Sequence, residues 1–98
     1  MIRVLVPGQL RALARVHGEM MLEVPPPVTL GAVLDAIERR YPMLCGAIRD
    51  RVSARRRPLL RLFADGQDLS FADADQRLPE AVCEGRAPLL VVGAIAGG

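Results

Sequence analysis

The residues of this 98-residue chain whose types and spacing suit chemistry are few, and they gather at one end. Residues 88–92, Pro-Leu-Leu-Val-Val, form an apolar, partly β-branched run that reads as a buried strand. The run passes without a turn signal into Gly93-Ala94-Ile95-Ala96-Gly97-Gly98. Gly97 and Gly98 carry no Cβ, so their backbone fits a channel that rejects any larger residue. The six residues from Gly93 to Gly98 reach roughly 20 Å when extended, at about 3.3 to 3.6 Å per residue. That geometry suits a terminal carboxylate that is itself the working group, with the body docking outside a partner's active site while Gly98 reaches the chemistry within. The plainer reading, a frayed ending of small residues, has to be weighed against the rest of the chain.

Other chemistry finds little support. His17 is the only histidine; with no acidic or cysteine partner at a telling spacing it reads as a residue beside the last carbonyls of a helix. Cys45 and Cys83 are far apart and outside any C-x-x-C spacing, so they read as small buried or half-buried hydrophobes in a reducing compartment. No Walker-type loop, metal-ligand cluster or nucleophile-base constellation occurs, which points away from an enzyme, from a bound cofactor and from a metal. A net charge of +2 with three aromatic residues argues against nucleic acid. No apolar run spans a membrane and Pro7-Gly8 interrupts any signal-peptide pattern, so the expected setting is the cytoplasm. All thirteen basic residues are arginine, so no side-chain amine can accept an isopeptide bond, although a compositional bias toward arginine explains this equally well.

The elements that must position the tail follow from periodicity. About half the residues are apolar, enough for one domain with an aliphatic core. Residues 2–6 alternate as a first strand; 9–17 show helical spacing at Leu10, Leu13, Ala14 and His17, with Gly18 suited to end the helix. Residues 19–24 read as a second strand, antiparallel to the first, with Met20, Leu22 and Val24 on one face. Three prolines then turn the chain away, and Thr29 caps the strongest helix, whose stripe is Leu30, Val33, Leu34, Ile37 and Tyr41. Asp35 and Arg39 lie one turn apart on its outer face, and Gly31 in its first turn implies close approach of a neighbouring backbone. Leu44, Ile48 and Val52, spaced by four, predict a second short helix. Residues 53–58, with Arg55, Arg56 and Arg57, read as an exposed, solvated basic connection rather than a grip for an acidic partner or a phosphate. Residues 59–64 form a third strand closed by Asp65-Gly66, residues 70–77 a polar loop, 78–83 either a helical turn or a strand, and Glu84-Gly85-Arg86 a turn before the last strand.

The pattern resembles the ubiquitin-like β-grasp sulfur carriers of the MoaD and ThiS kind over nearly the whole chain. The residues that carry the resemblance are Val4-Leu5-Val6-Pro7 with Leu10-Arg11, Val28-Thr29-Leu30-Gly31-Ala32-Val33-Leu34, Arg40-Tyr41-Pro42, Leu62-Phe63-Ala64-Asp65-Gly66-Gln67-Asp68-Leu69 and Ala96-Gly97-Gly98. Length and the extra segment 44–58 are more similar to the longer carriers, including those of thiocarboxylate-dependent cysteine synthesis. The chain departs from many relatives at Glu84-Gly85-Arg86-Ala87-Pro88, and at Gly93-Ala94-Ile95 where prolines and a valine are common.

The resemblance implies an α+β fold of β-grasp type, a mixed and mostly antiparallel four- to five-stranded sheet with one main helix across one face. It implies one domain over residues 1–98 whose tail, 93–98, is flexible. It implies a protein cosubstrate: an E1-like enzyme uses ATP to adenylate the Gly98 carboxylate, sulfur displaces AMP, and the thiocarboxylate passes to a sulfur-accepting synthase of molybdopterin, thiamine or cysteine biosynthesis. Gly97 and Ala96 thread the partner's channel, and the free carrier is a monomer that binds neither nucleic acid nor membrane. Two other functions share these features: a modifier conjugated to target lysines through Gly98, and a non-covalent β-grasp binding domain with an inert tail. If the pleat is regular, Leu89, Val91, Leu62 and Ala64 point toward the helix while Phe63, Leu90 and Val92 point away. Those three are expected either to form a docking patch for the partner enzymes or to face a second minor core.

Overall fold

The computed structural model describes residues 1–93; Ala96, Gly97 and Gly98 lie outside the described residues. The elements in order are β1 (Ile2–Leu5), α1 (Gly8–Ala14), β2 (Met20–Leu22), α2 (Leu30–Arg40), β3 (Leu60–Ala64), β4 (Gln67–Asp68), α3 (Glu80–Cys83) and β5 (Leu89–Gly93), with a 3-10 turn at Pro42–Leu44 after α2. The strands form one sheet in the order β2-β1-β5-β3-β4. The most apolar strand, β5, is therefore central, parallel to β1 and antiparallel to β3. So apolar a strand would be a poor exposed edge, whereas the edge strands β2 and β4 are three and two residues long.

One face of the sheet makes the core. Ile2 and Val4 of β1, Met20 and Leu22 of β2, Leu62 and Ala64 of β3, and Leu89 and Val91 of β5 are all buried. Helix α2 supplies the other side with Leu30, Val33, Leu34 and Ile37, the stripe that its 3.6-residue period dictates. Tyr41, last of the expected stripe, is only partly buried and donates its backbone N–H to Ile37 O at 2.7 Å. The helix starts where the sequence implies: the Thr29 side chain accepts the Ala32 N–H at 3.1 Å. Gly31 donates its N–H to Ala74 O at 2.8 Å, and a Cβ there would stand 2.9 Å from that same oxygen. The glycine thus lets the loop after β4 lie backbone to backbone on the first turn of α2.

Several expectations fail for identifiable reasons. The first helix ends at Ala14, not near Gly18, because Arg15 adopts the left-handed conformation at φ 59°. Arg15 N–H then bonds Ala12 O and Val16 N–H bonds Arg11 O, a Schellman closure that turns Val16 onto the core. His17 is exposed beyond that closure. The second short helix does not form. Leu44 and Ile48 are buried, but Gly46 sits at φ 85° and the chain continues through turns to a bridge between Arg49 and Arg56, leaving Val52 96% exposed. Asp35 pairs with Arg49 rather than with Arg39, and Arg49 also binds Glu38 at 2.8 Å. These two carboxylates, Glu38 foremost, raise the Arg49 pKa above its ordinary value. Cys45 and Cys83 are exposed: Cys45 follows the 3-10 turn and Cys83 ends α3, and in each case the preceding residue, Leu44 or Val82, takes the core position. Residues 78–83 resolve as a helical turn, α3, and Gly93 is a paired strand residue opposite Leu60.

Candidate functional site

The face of the sheet away from α2 is built by strand parity. Leu90 of β5 lies beside Leu5 of β1 and opposite Phe63 of β3, and Val92 lies opposite Arg61. Leu5, Phe63 and Leu90 are half-buried, and Val92 is 39% exposed. Among the described residues no element packs over these side chains, so no second minor core covers them. The three residues singled out from the sequence, Phe63, Leu90 and Val92, therefore meet on one open surface, and Leu5 joins them. Its place follows from the parallel pairing of β1 with β5, which alternation within one strand does not reveal.

Ion pairs frame this apolar strip on both sides. On β1, the Arg3 guanidinium holds Glu19 at 2.8 Å and donates to Gly85 O and Arg86 O at 3.1 and 3.2 Å, tying the turn before β5 to the sheet. Its hydrogen bond holds the Glu19 carboxyl below its ordinary range. On the far side, Arg61 holds Asp68 at 2.8 Å. Asp68 also accepts the Ser70 N–H at 2.9 Å, and bonds from Ser70 and then Arg61 lower its pKa to about 2. Ser70 itself is buried, its Oγ accepting the Leu62 N–H at 2.8 Å, which locks the loop after β4 onto β3.

The tail leaves from the end of the sheet where β1 finishes and β3 begins, as the parallel and antiparallel pairings of β5 require. Two grooves meet there at Pro7 and Gly93. One, of about 480 Å³, is lined by Leu5, Arg11, Leu90 and Val92; the other, of about 310 Å³, by Leu10, Ala47, Arg57 and Leu59. A methyl on Gly93 would make ordinary contact with Pro7 at 3.6 Å, so the space does not demand glycine at this position. Ala96, Gly97 and Gly98 follow Gly93 in sequence and are outside the described residues. Among the described residues no cluster of three or more His, Cys, Asp or Glu is placed to hold a metal, and no helix is long and apolar enough to cross a membrane.

Structural comparison decides the architecture. A chain of the Amycolatopsis orientalis BexX/CysO complex superposes with a TM-score of 0.76 at 15% identity over 100% of both chains. SAMP1 from Haloferax volcanii superposes with a TM-score of 0.75 at 17% identity, over 98% of this chain and 97% of that one. The chain has the ubiquitin-like β-grasp fold. A second structure of the H. volcanii protein, small archaeal modifier protein 1, gives 0.73 at 14% identity over 95% of each chain. No family model matches the sequence, and no curated protein matches it. In this β-grasp domain the basic connection 53–58 is not simply solvated: Arg56 donates to Ser70 O at 2.6 Å and to Leu60 O, and Arg57 to Gly46 O at 2.7 Å. Phe71, in the loop after β4, is 82% exposed.

Proposed function

We propose that this β-grasp domain is a sulfur-carrier protein of the cytoplasm whose working group is the Gly98 carboxylate. The observation that carries the reading is the place of Gly93: it ends the central strand of the sheet, beside an apolar face that no other element covers among the described residues, and Ala94-Ile95-Ala96-Gly97-Gly98 follow it in sequence. The paired strand β5 fixes where the tail begins, and the open face gives a partner something to hold while the tail enters its active site.

The chemistry assigned to the tail follows from its acidity. A terminal carboxyl with a pKa near 3.3 to 3.7 is ionised at neutral pH, and the anion is a poor electrophile. In the E1-like partner a carboxylate oxygen attacks the α-phosphorus of ATP, pyrophosphate leaves, and the acyl carbon gains AMP as a leaving group. Sulfide then adds at that carbon and AMP departs, which leaves the thiocarboxylate on Gly98. A sulfur-accepting synthase takes the sulfur in cofactor biosynthesis, of molybdopterin or thiamine, or in cysteine biosynthesis. The carrier's own contribution is binding and reach: Phe63, Leu90 and Val92 dock, and Gly97 and Ala96 keep the tail narrow. ATP is bound by the partner rather than by this chain.

Likeness to small archaeal modifier protein 1 of H. volcanii supports a second reading, conjugation of the same activated carboxylate to lysine amines on target proteins. Likeness to a chain of the BexX/CysO complex is compatible with a carrier that works by docking on another protein. The two readings share the activation step and part at the acceptor. A chain lacking Gly97 and Gly98 tests the shared requirement: it melts like the full-length chain and fails to support sulfur transfer in cells. Restored transfer by that truncated chain contradicts the proposal.

A further inference from the structure

We infer that Phe71 is a second anchor for the activating enzyme, seated in an apolar pocket that carries acidic groups on one flank and basic groups on the other. The inference rests on the carrier reading above and names a contact outside the Phe63, Leu90 and Val92 patch. Phe71 is 82% exposed, yet its ring is not loose on the surface. The Arg56 guanidinium lies 5.1 Å from the ring centroid and that of Arg61 lies 5.7 Å away. Both guanidiniums are themselves fixed. Arg56 donates to Ser70 O at 2.6 Å, to Arg57 O at 3.1 Å and to Leu60 O; Arg61 binds Ser70 Oγ at 3.2 Å and Asp68 at 2.8 Å. A large apolar side chain held in place before any partner arrives lowers the ordering cost of association, and aromatic and arginine side chains dominate binding hot spots.

Charge identifies the occupant. Residues 51–61 contain Arg51, Arg55, Arg56, Arg57 and Arg61 and no acid, whereas residues 65–75 contain Asp65, Asp68, Asp73 and Asp75 and no base. Within the described residues, Arg57 has Asp50 and Arg61 has Asp68 as ion-pair partners, while Arg51, Arg55 and Arg56 have none. Phe71 belongs to the acidic segment and is stacked by arginines of the basic one, so it marks the seam between the two. A nucleic acid would stack a base on the ring but bring phosphates to the aspartates as well as to the arginines. A folded protein surface with charges of both signs around a pocket satisfies both flanks and fixes the orientation of docking. Continuity favours the enzyme that receives the tail: Arg61 touches the ring and stands opposite Val92, one residue before Gly93 where the tail grooves meet.

The test measures binding of the full chain to the host's E1-like adenylating enzyme for wild type, Phe71→Ala and Leu13→Ala, with intact mass after ATP and sulfide as a parallel readout. Leu13 is the control, an exposed apolar residue on α1. Phe71→Ala is expected to weaken binding about tenfold or more, as loss of an anchor does, with an unchanged melting temperature; Leu13→Ala binds as wild type does. If wild type is activated and Phe71→Ala binds within twofold of it, the second anchor is overturned and the carrier reading stands. A wild-type chain that neither binds nor gains sulfur overturns both. Tight binding of a labelled single-stranded RNA that Phe71→Ala abolishes overturns the protein occupant.

Discussion

At the scale of single residues, the side chains that frame the open face of the sheet do so through charge and hydrogen bonding, which makes their contribution sensitive to pH. Asp68 is the clearest case, with Ser70 and Arg61 lowering its pKa to about 2 from an ordinary 3.8. A carboxylate whose folded-state pKa is depressed contributes stability that is present above its unfolded pKa and lost as pH falls through the folded one. The contribution of Asp68 is thus whole near pH 5 and above, and disappears between about pH 4 and pH 2. Because Asp68 is solvent-exposed, the effect is modest. Thermal melts of wild type and Asp68→Asn should therefore differ near neutral pH and converge toward pH 2; curves that stay parallel across that range would remove this role from Asp68. Gly31 shows the opposite kind of residue, one whose use is spatial. Its lack of helix propensity pointed to a close approach, and Ala74 O supplies it.

Secondary-structure elements explain both what the sequence revealed and what it hid. Strand parity was legible: Leu62, Ala64, Leu89 and Val91 are buried, and Phe63, Leu90 and Val92 face outward as alternation requires. The capping of α2 by Thr29 and its buried stripe were equally plain, because helix period and cap chemistry are local properties. Segment 44–52 was misread because a spacing of four does not distinguish a helix from two buried residues joined by turns, and Val52 only completed the pattern by chance of position. The exposure of Cys45 and Cys83 and the stacking of Arg56 and Arg61 on Phe71 depend on residues distant in sequence, so composition and spacing had no means of showing them. The outward parity of β5 has its own consequence. Replacing Leu90 and Val92 together by serine or glutamate should weaken association with the activating enzyme by about tenfold or more while the domain stays folded. Circular dichroism and a binding titration decide the point, and an unfolded double variant would show that this face supports the core instead of serving a partner.

The whole molecule is organised so that the central strand of a small rigid sheet points its end outward. β1 and β3 flank β5 on both sides, the Arg3 clamp holds the turn before it, and the grooves at Pro7 and Gly93 open where it finishes. The sequence contains no lysine, so an activated carboxylate would meet no side-chain amine on its own chain. These features belong together if the domain delivers an acyl group to other proteins' active sites. Intact mass spectrometry of the full chain after incubation with ATP, sulfide and the host's E1-like enzyme tests that claim most directly. The account predicts a mass gain equal to the exchange of one oxygen for sulfur, located by fragmentation at Gly98 and absent without ATP. An unchanged mass with an enzyme shown to adenylate another carrier would contradict it.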